Sequence, residues 1–351
     1  MDDRRREFLE ELLATPSPSG FEIEGQRVWT EYVEGFADEV RTDAYGNAVA
    51  EVEGGPTEIA IVGHADQIGY IVRRIDDEGF LHLGPIGGVD KTVSRGQYVV
   101  VHADSGPLAG VIGQTAIHLR EGDDEHDEIN EQAVDIGAAD GEAARELVSV
   151  GDPITVESRV RELQGTRLAA SALDNRVGTW TAAEVLRAVA DADVEPTVYA
   201  VSTVQEELGV RGAEMVGFDL APDAAIAVDV THAGDGAGAP SDRGGDIDLG
   251  AGPVIGRGSA NHPTLVDALR DAADEEGIDV QLEARGIATG TDADAFYTAR
   301  GGTPSLNLGI PNRYMHTPVE TIDTGDLTGA VSLLSAFLER VSPDERFSVE
   351  V

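Results

Sequence analysis

Two adjacent acids, Glu206 and Glu207, carry the clearest chemical signal in the sequence. They follow the apolar run 198–204, whose composition is typical of a strand buried on both faces of a sheet. Open α/β sheets bind their ligands beyond the carboxyl ends of such strands. In a chain this rich in acids an isolated pair would more simply be solvated surface, so its meaning depends on the residues that accompany it.

Five companion residues lie at other predicted element boundaries. They are His64 and Asp66 after one apolar run, Asp174 at a helix start, Asp229 at the end of a second run, and His316 after a predicted strand. Two histidines and three carboxylates can hold two zinc-like ions if one carboxylate bridges them, and a fourth acid then stays free to act on water. The pattern therefore predicts a two-metal hydrolytic site.

The same residues lie in six short segments: His64-Ala-Asp66, Ala172-Leu-Asp-Asn-Arg176, Val204-Gln-Glu-Glu-Leu-Gly209, Asp229, Gly290-Thr-Asp-Ala293 and Gly309-Ile-Pro-Asn-Arg-Tyr-Met-His316. In this order they resemble the motifs of the M42 family of dinuclear metallo-aminopeptidases, which includes the tetrahedral and glutamyl aminopeptidases. The resemblance extends over about residues 5–340, and it lacks no ligand position.

The resemblance implies a role for each of these residues. The implied metal ligands are His64 and Asp229 on one ion, Glu207 and His316 on the other, and Asp174 bridging both. Glu206 would be the catalytic base, and Asp66 would support catalysis by orienting His64. The implied cofactors are two divalent ions per chain, with zinc or cobalt expected and manganese as an alternative.

The predicted reaction is the removal of N-terminal residues from peptides by an activated water. That the substrate is a peptide follows from the resemblance and not from the residue spacing. A metal-dependent deacylase or carboxypeptidase would use much the same ligands and remains an alternative. An endoglucanase-type glycosidase would need two carboxylates but has no use for two histidines at strand ends.

The charge of the chain is extreme. The 351 residues include 66 acids and carry a net charge of −41, and Lys91 is the single lysine beside 24 arginines. Such an anionic surface disfavours nucleic acid and acidic membranes as partners. Acids spread through the whole chain are typical of proteins from extreme halophiles, because molar salt screens their mutual repulsion. We therefore expect a halophilic source.

Cysteine is absent, so disulfides and thiolate metal sites are excluded. No apolar run approaches the roughly 20 residues that span a bilayer. Residues 2–7 are all charged and no apolar core follows them, so we expect no secretory signal and a cytoplasmic location.

The predicted fold class is α/β, with a mixed sheet covered by helices and an inserted β-rich domain. The catalytic domain is predicted at residues 1–67 and 162–351 and the insert at residues 68–161, and the resemblance implies that the insert mediates dimerisation. Within the insert, the acidic stretch 121–128 is predicted to be a solvated loop. The resemblance further implies a homo-oligomer, a dodecamer built from dimers whose active sites face an inner cavity.

Overall fold

The structure is a computed structural model that describes residues 1–120, 127–192, 194–238 and 246–349. Its strands are, in chain order, β1 (Glu39–Thr42), β2 (Ala48–Val52), β3 (Gly55–His64), β4 (Gly69–Ile75), β5 (Leu81–Ile86), β6 (Tyr98–Ala103), β7 (Gly106–Ile112), β8 (Ala133–Asp135), β9 (Pro153–Val156), β10 (Arg161–Glu162), β11 (Arg167–Ala170), β12 (Pro196–Thr203), β13 (Ala224–His232), β14 (Val254–Gly258), β15 (Gln281–Arg285), β16 (Ser305–Asn312) and β17 (Glu320–Asp323). Its α-helices are α1 (Asp3–Ala14), α2 (Ile23–Val33), α3 (Gly141–Leu147), α4 (Leu173–Ala190), α5 (Arg211–Leu220), α6 (Pro263–Glu276), α7 (Ala293–Thr298) and α8 (Thr324–Leu338).

A mixed sheet forms the centre of the molecule. Within the described ranges it has eight strands in the order β1-β2-β12-β3-β13-β16-β14-β15. The central strands β12, β3, β13 and β16 are parallel to one another, so their carboxyl ends lie along one edge. These strands are buried on both faces, which explains why their sequences are almost continuously apolar.

Helices cover both faces of this sheet. Alternate residues of β3 point to opposite sides: Ile59 and Ile61 belong to a core shared with α1, α2, α4, α6 and α8. Ala60 and Val62 belong to a smaller core on the other face, which α5 and α7 complete. The alternation follows from the two-residue period of a strand. The predicted α/β class with a helix-covered mixed sheet is confirmed.

A β-rich unit is inserted between β3 and β11. Its described residues form a closed barrel with the strand order β4-β5-β8-β7-β6-β9, filled by a separate apolar core that includes Tyr70, Leu81 and Val101. Closure leaves no free strand edge, which suits short antiparallel strands. The barrel strands lie between Gly69 and Val156, inside the predicted insert. The loop predicted at 121–128 falls largely outside the described residues, because 121–126 are not described.

Individual elements agree with the sequence where the pattern is long and regular. The apolar pattern predicts helices over 173–190 and about 327–341. Helix α4 has the predicted bounds, and α8 begins three residues before the predicted start at Leu327. The short barrel strands β5, β7 and β8 and the helix α3 were not predicted, since each is brief and gains its stability from barrel closure. No helix in the described part of the chain is long and apolar enough to span a bilayer.

Candidate metal centre

The predicted site residues meet at the carboxyl edge of the central strands. His64 is the last residue of β3 and pairs in register with Thr203, the last residue of β12. Glu206 and Glu207 lie in a short turn of helix directly after β12. Neighbouring parallel strands end at the same edge, which brings the histidine and the two acids together.

Asp229 reaches the site from inside a strand, which corrects the sequence analysis. We predicted that it ends the run 224–229, but β13 continues three residues further, to His232. The polar residue did not end the strand, because the neighbouring β16 continues to pair with it as far as Asn312. Its carboxylate lies in the site because β13 is parallel to β3 and adjacent to it.

Helix α4 brings Asp174 against the end of β3. The close approach depends on Gly63, where a Cβ atom would lie 2.3 Å from the backbone of Gly178. Because neither side of this contact has a side chain, the first turn of α4 lies directly beside His64. Asp174 has non-helical backbone angles, and its carboxylate is buried between the two histidines.

The two oxygens of Asp174 face different histidines. Oδ1 lies 3.3 Å from Nε2 of His64, and Oδ2 lies 3.3 Å from Nε2 of His316. Each histidine also faces further acids. His64 Nε2 is 3.8 Å from both Asp229 Oδ1 and Glu206 Oε2, and His316 Nε2 is 3.6 Å from Glu207 Oε1. The five side chains therefore form two sets that share Asp174.

These separations fit divalent cations. Ligand atoms around a tetrahedral ion with bonds of about 2.1 Å lie roughly 3.4 Å apart, close to the observed spacings. Donor atoms of His64, Asp174 and Glu207 lie within 4.8 Å of one another. Nitrogen and carboxylate oxygen are also the donor types that zinc-like ions accept. The residues present therefore suit divalent cations.

Backbone carbonyls fix both histidine rings. Nδ1 of His64 lies 3.2 Å from the carbonyl oxygen of Asp66, and Nδ1 of His316 lies 3.0 Å from that of Gly88. A ring that donates from Nδ1 to a carbonyl keeps Nε2 free as an acceptor. In both histidines it is Nε2 that faces the carboxylates, so each ring is oriented with Nε2 toward the place where a metal ion would bind.

Buried acids outnumber the groups that could neutralise them. Burial raises the pKa of Glu207 to about 8, with the charge of Asp174 adding to the effect. Burial likewise raises the pKa of Glu206 to about 8, assisted by Asp292 and opposed by His64. Removing charge from water is costly unless an opposite charge compensates it. Divalent cations would supply that compensation.

Asp66 connects the two halves of the site. Its Oδ1 accepts a hydrogen bond from the backbone N–H of Glu206 at 2.9 Å, and its Oδ2 accepts one from that of Glu207 at 3.1 Å. Oδ1 also lies 3.4 Å from Nδ1 of His64, and Ser19 donates to Oδ2. Although burial opposes it, the bond with His64 lowers the pKa of Asp66. Asp66 thus orients the acid pair as well as the histidine.

Glu320 is a site residue that the sequence analysis missed. Its Oε1 accepts from the backbone N–H of His316 at 2.9 Å and its Oε2 from that of Asp174 at 3.1 Å. Burial, followed by the charge of Asp174, raises the pKa of Glu320 well above its usual range. A fully buried acid in the short strand β17 could have been a signal, but burial is not visible in the sequence.

Two other features of the site had no role assigned to them from the sequence. The barrel reaches the metal centre through the loop after β5, where a Cβ atom on Gly87 would lie 3.2 Å from Cβ of Glu207. Asp292, in the segment 290–293, is buried and accepts a hydrogen bond from Thr203 at 2.5 Å. Burial raises the pKa of Asp292 to about 6. It therefore adds a further acid beside the end of β12.

Known proteins resemble this chain over nearly its whole length. The profile of the M42 glutamyl aminopeptidases matches residues 46–333. A lysyl aminopeptidase of Pyrococcus furiosus is 33% identical over 343 residues, which cover 96% of this chain and 97% of that protein. The sequence similarity therefore spans both the candidate site residues and the barrel.

Solved structures agree. A TET aminopeptidase from a marine-sediment archaeon of the Thaumarchaeota has a TM-score of 0.91 and 32% identity, covering 97% of this chain and 98% of that one. The TET1 peptidase of Pyrococcus horikoshii, which can assemble into a tetrahedron or a large octahedral shell, has a TM-score of 0.87 and 31% identity, covering 96% of this chain and 100% of that one. The chain belongs to the M42 family of aminopeptidases.

Proposed function

We propose that this aminopeptidase works with two divalent cations. His64 and Asp229 would hold one, Glu207 and His316 would hold the other, and Asp174 would serve both. The observation that carries the proposal is the split of Asp174 between two histidines, each 3.3 Å away. Bound zinc, cobalt or manganese ions would act as Lewis acids that lower the pKa of water and polarise a carbonyl oxygen.

Glu206 is the proposed general base. Its Oε2 lies 3.8 Å from Nε2 of His64, beside the proposed ligands, and it lines a cleft of about 430 Å³. Glu206 takes a proton from water as the water oxygen attacks the scissile carbonyl carbon. It then gives that proton to the leaving nitrogen as the C–N bond breaks. Asp66 holds the backbone of the acid pair during both transfers.

A substrate panel tests this function. Amino-acid arylamides and N-acyl amino acids are assayed in molar KCl with zinc, cobalt or manganese. An aminopeptidase cleaves the arylamides, because its substrate has a free amino group next to the scissile bond. Cleavage of the N-acyl amino acids alone would indicate a deacylase and contradict the proposal. A requirement for added metal after chelation is the matching control.

We also propose that the chain forms a dodecamer built from dimers, in which the insert 68–161 mediates dimerisation. The assembly of the TET1 peptidase supports this, as does an exposed apolar pair on the barrel. Tyr98 and Val111 are opposite each other on β6 and β7 and are 66% and 37% exposed. Sedimentation in molar KCl should show a particle of dodecamer mass, and an active monomer at high salt would contradict the assembly. The cytoplasmic location stays a prediction.

A further inference from the structure

Two cavities of different character meet at the metal centre. The larger is a cleft of about 430 Å³, and the smaller is a pocket of about 40 Å³. Asp174, Glu207 and His316 line both. Glu206 lines the cleft but is not among the described residues that line the small pocket. The proposed proton donor therefore faces one cavity and not the other.

This difference orients a peptide across the site, given the proposed role of Glu206. The proton that Glu206 delivers goes to the nitrogen of the residue after the scissile bond. That residue and the rest of the peptide must therefore lie on the Glu206 side, in the large cleft. The side chain of the N-terminal residue then lies on the side of Glu207 and His316, where the small pocket begins.

We propose that the small pocket selects an uncharged aliphatic side chain at the substrate's N-terminus. Its apolar wall combines residues of the barrel and of the catalytic domain: Ile68, Tyr70, Val89, Val93, Val156 and Ala172. A cavity needs about 10–15 Å³ to hold one water-sized group. The pocket, at about 40 Å³, therefore has room for roughly three such groups. The branched end of a leucine side chain has three carbon atoms and matches that space.

The charges around the pocket disfavour an acidic substrate. Apart from His316, its charged lining residues in the described part of the chain are all acids: Asp90, Asp174, Glu207 and Glu320. No lysine or arginine of the described residues lines it. A glutamate side chain would lose its hydration against the apolar wall and would find no lysine or arginine among the described lining residues to pair with. We therefore expect weak cleavage of acidic N-termini, although the family description is that of glutamyl aminopeptidases.

The first test compares N-terminal residues in the full-length protein. Leucine, lysine, phenylalanine and glutamate arylamides are assayed in molar KCl with one fixed metal. The kcat/KM for leucine should exceed that for glutamate by about 10²-fold or more, because a wrongly placed charge costs more than a missing methylene. The kcat/KM for the lysine arylamide should lie between the leucine and glutamate values, since the exposed Asp90 can pair with the ammonium group of the lysine side chain. Phenylalanine should be cleaved more slowly than leucine, because its ring exceeds the pocket.

Variants at one wall residue test the assignment of the pocket. Val93→Lys should reduce the ratio of leucine to glutamate cleavage at least about 10-fold, since it brings a cation to the pocket. Val150→Lys adds the same charge at a barrel residue that is 65% exposed and lies outside the pocket, and it should leave the ratio unchanged. Val93→Ala should raise kcat/KM for the phenylalanine arylamide relative to that for the leucine arylamide. This second variant keeps the test valid if Val93→Lys does not fold.

A binding measurement provides a readout other than turnover. Calorimetry with L-leucine and L-glutamate should show tighter binding of leucine to the wild type and a smaller difference in Val93→Lys. Equal or faster cleavage of glutamate arylamide, with no response to either Val93 variant, would overturn the pocket assignment but leave the aminopeptidase function standing. Failure to cleave any arylamide, with cleavage of N-acyl amino acids, would overturn both proposals.

Discussion

Replacing Glu320 by glutamine should weaken metal binding without removing a metal ligand. Both Glu320 oxygens accept backbone N–H groups, from His316 and Asp174. A glutamine side chain has a single acceptor oxygen, so its NH₂ group would face the second buried N–H donor. An unsatisfied buried donor costs about 1–3 kcal/mol. These two N–H groups belong to the backbone that holds the side chains of His316 and Asp174 in place. Part of this cost should therefore appear as lost metal affinity, about 10–100-fold for groups that orient ligands.

The assay for Glu320→Gln is a metal titration by calorimetry, followed by turnover at saturating metal. We expect weaker binding, mainly of the ion held by Glu207 and His316, and recovery of most activity when metal is in excess. The matched control is Glu184→Gln, a buried acid that pairs with Arg187 away from the site. It should lower the thermal midpoint and leave metal affinity unchanged. Unchanged metal affinity in Glu320→Gln would refute the reasoning.

Three further perturbations have clear expected outcomes. Gly87→Ala should lower metal affinity because the new Cβ would press on Glu207, whereas Gly96→Ala, with a similar positive φ and open space around it, should leave metal affinity unchanged in the same titration. Glu22→Gln should gain stability relative to the wild type as pH rises from about 5 to 8. Burial raises the pKa of Glu22 from 4.5 to about 7, so the folded protein binds this proton more tightly than the unfolded protein does. The free energy of unfolding of the wild type therefore falls by at most about 3 kcal/mol as the pH rises. Both hydrogen bonds to Glu22 end on Oε1, an acceptor that glutamine keeps. If denaturant unfolding showed no pH-dependent difference in stability between Glu22→Gln and the wild type, this prediction would be contradicted. Finally, the thermal midpoint should rise steeply between dilute buffer and molar KCl, since at 1 M salt the Debye length is only about 3 Å, and a flat response would remove the halophile interpretation.

The sequence predicted those site residues that lie at the ends of long apolar strands. His64 and the Glu206–Glu207 pair follow long apolar runs, so the end of each strand can be predicted from residue composition alone. Asp229 shows the limit of this reasoning, because a polar residue inside a strand looks the same as one that ends it. The difference is set by pairing with β16, a contact that is distant in sequence.

Other parts of the site depend on long-range packing. Glu320 acts through two backbone groups, one of them 146 residues away in the chain. The carbonyl of Gly88, which fixes the ring of His316, comes from a separate barrel. Neither residue has a chemical type or spacing that distinguishes it in the sequence. Such contacts become visible only when the two folding units are seen together.

The central claim is that Glu206 moves protons while Glu207 binds metal. The most direct test measures metal content and leucine-arylamide turnover side by side in Glu206→Gln and Glu207→Gln. Glu206→Gln should retain the metal content of the wild type and lose about 10²-fold or more in turnover, because proton transfer alone is removed. Glu207→Gln should lose metal together with activity. Equal loss of metal and activity in Glu206→Gln would contradict the account.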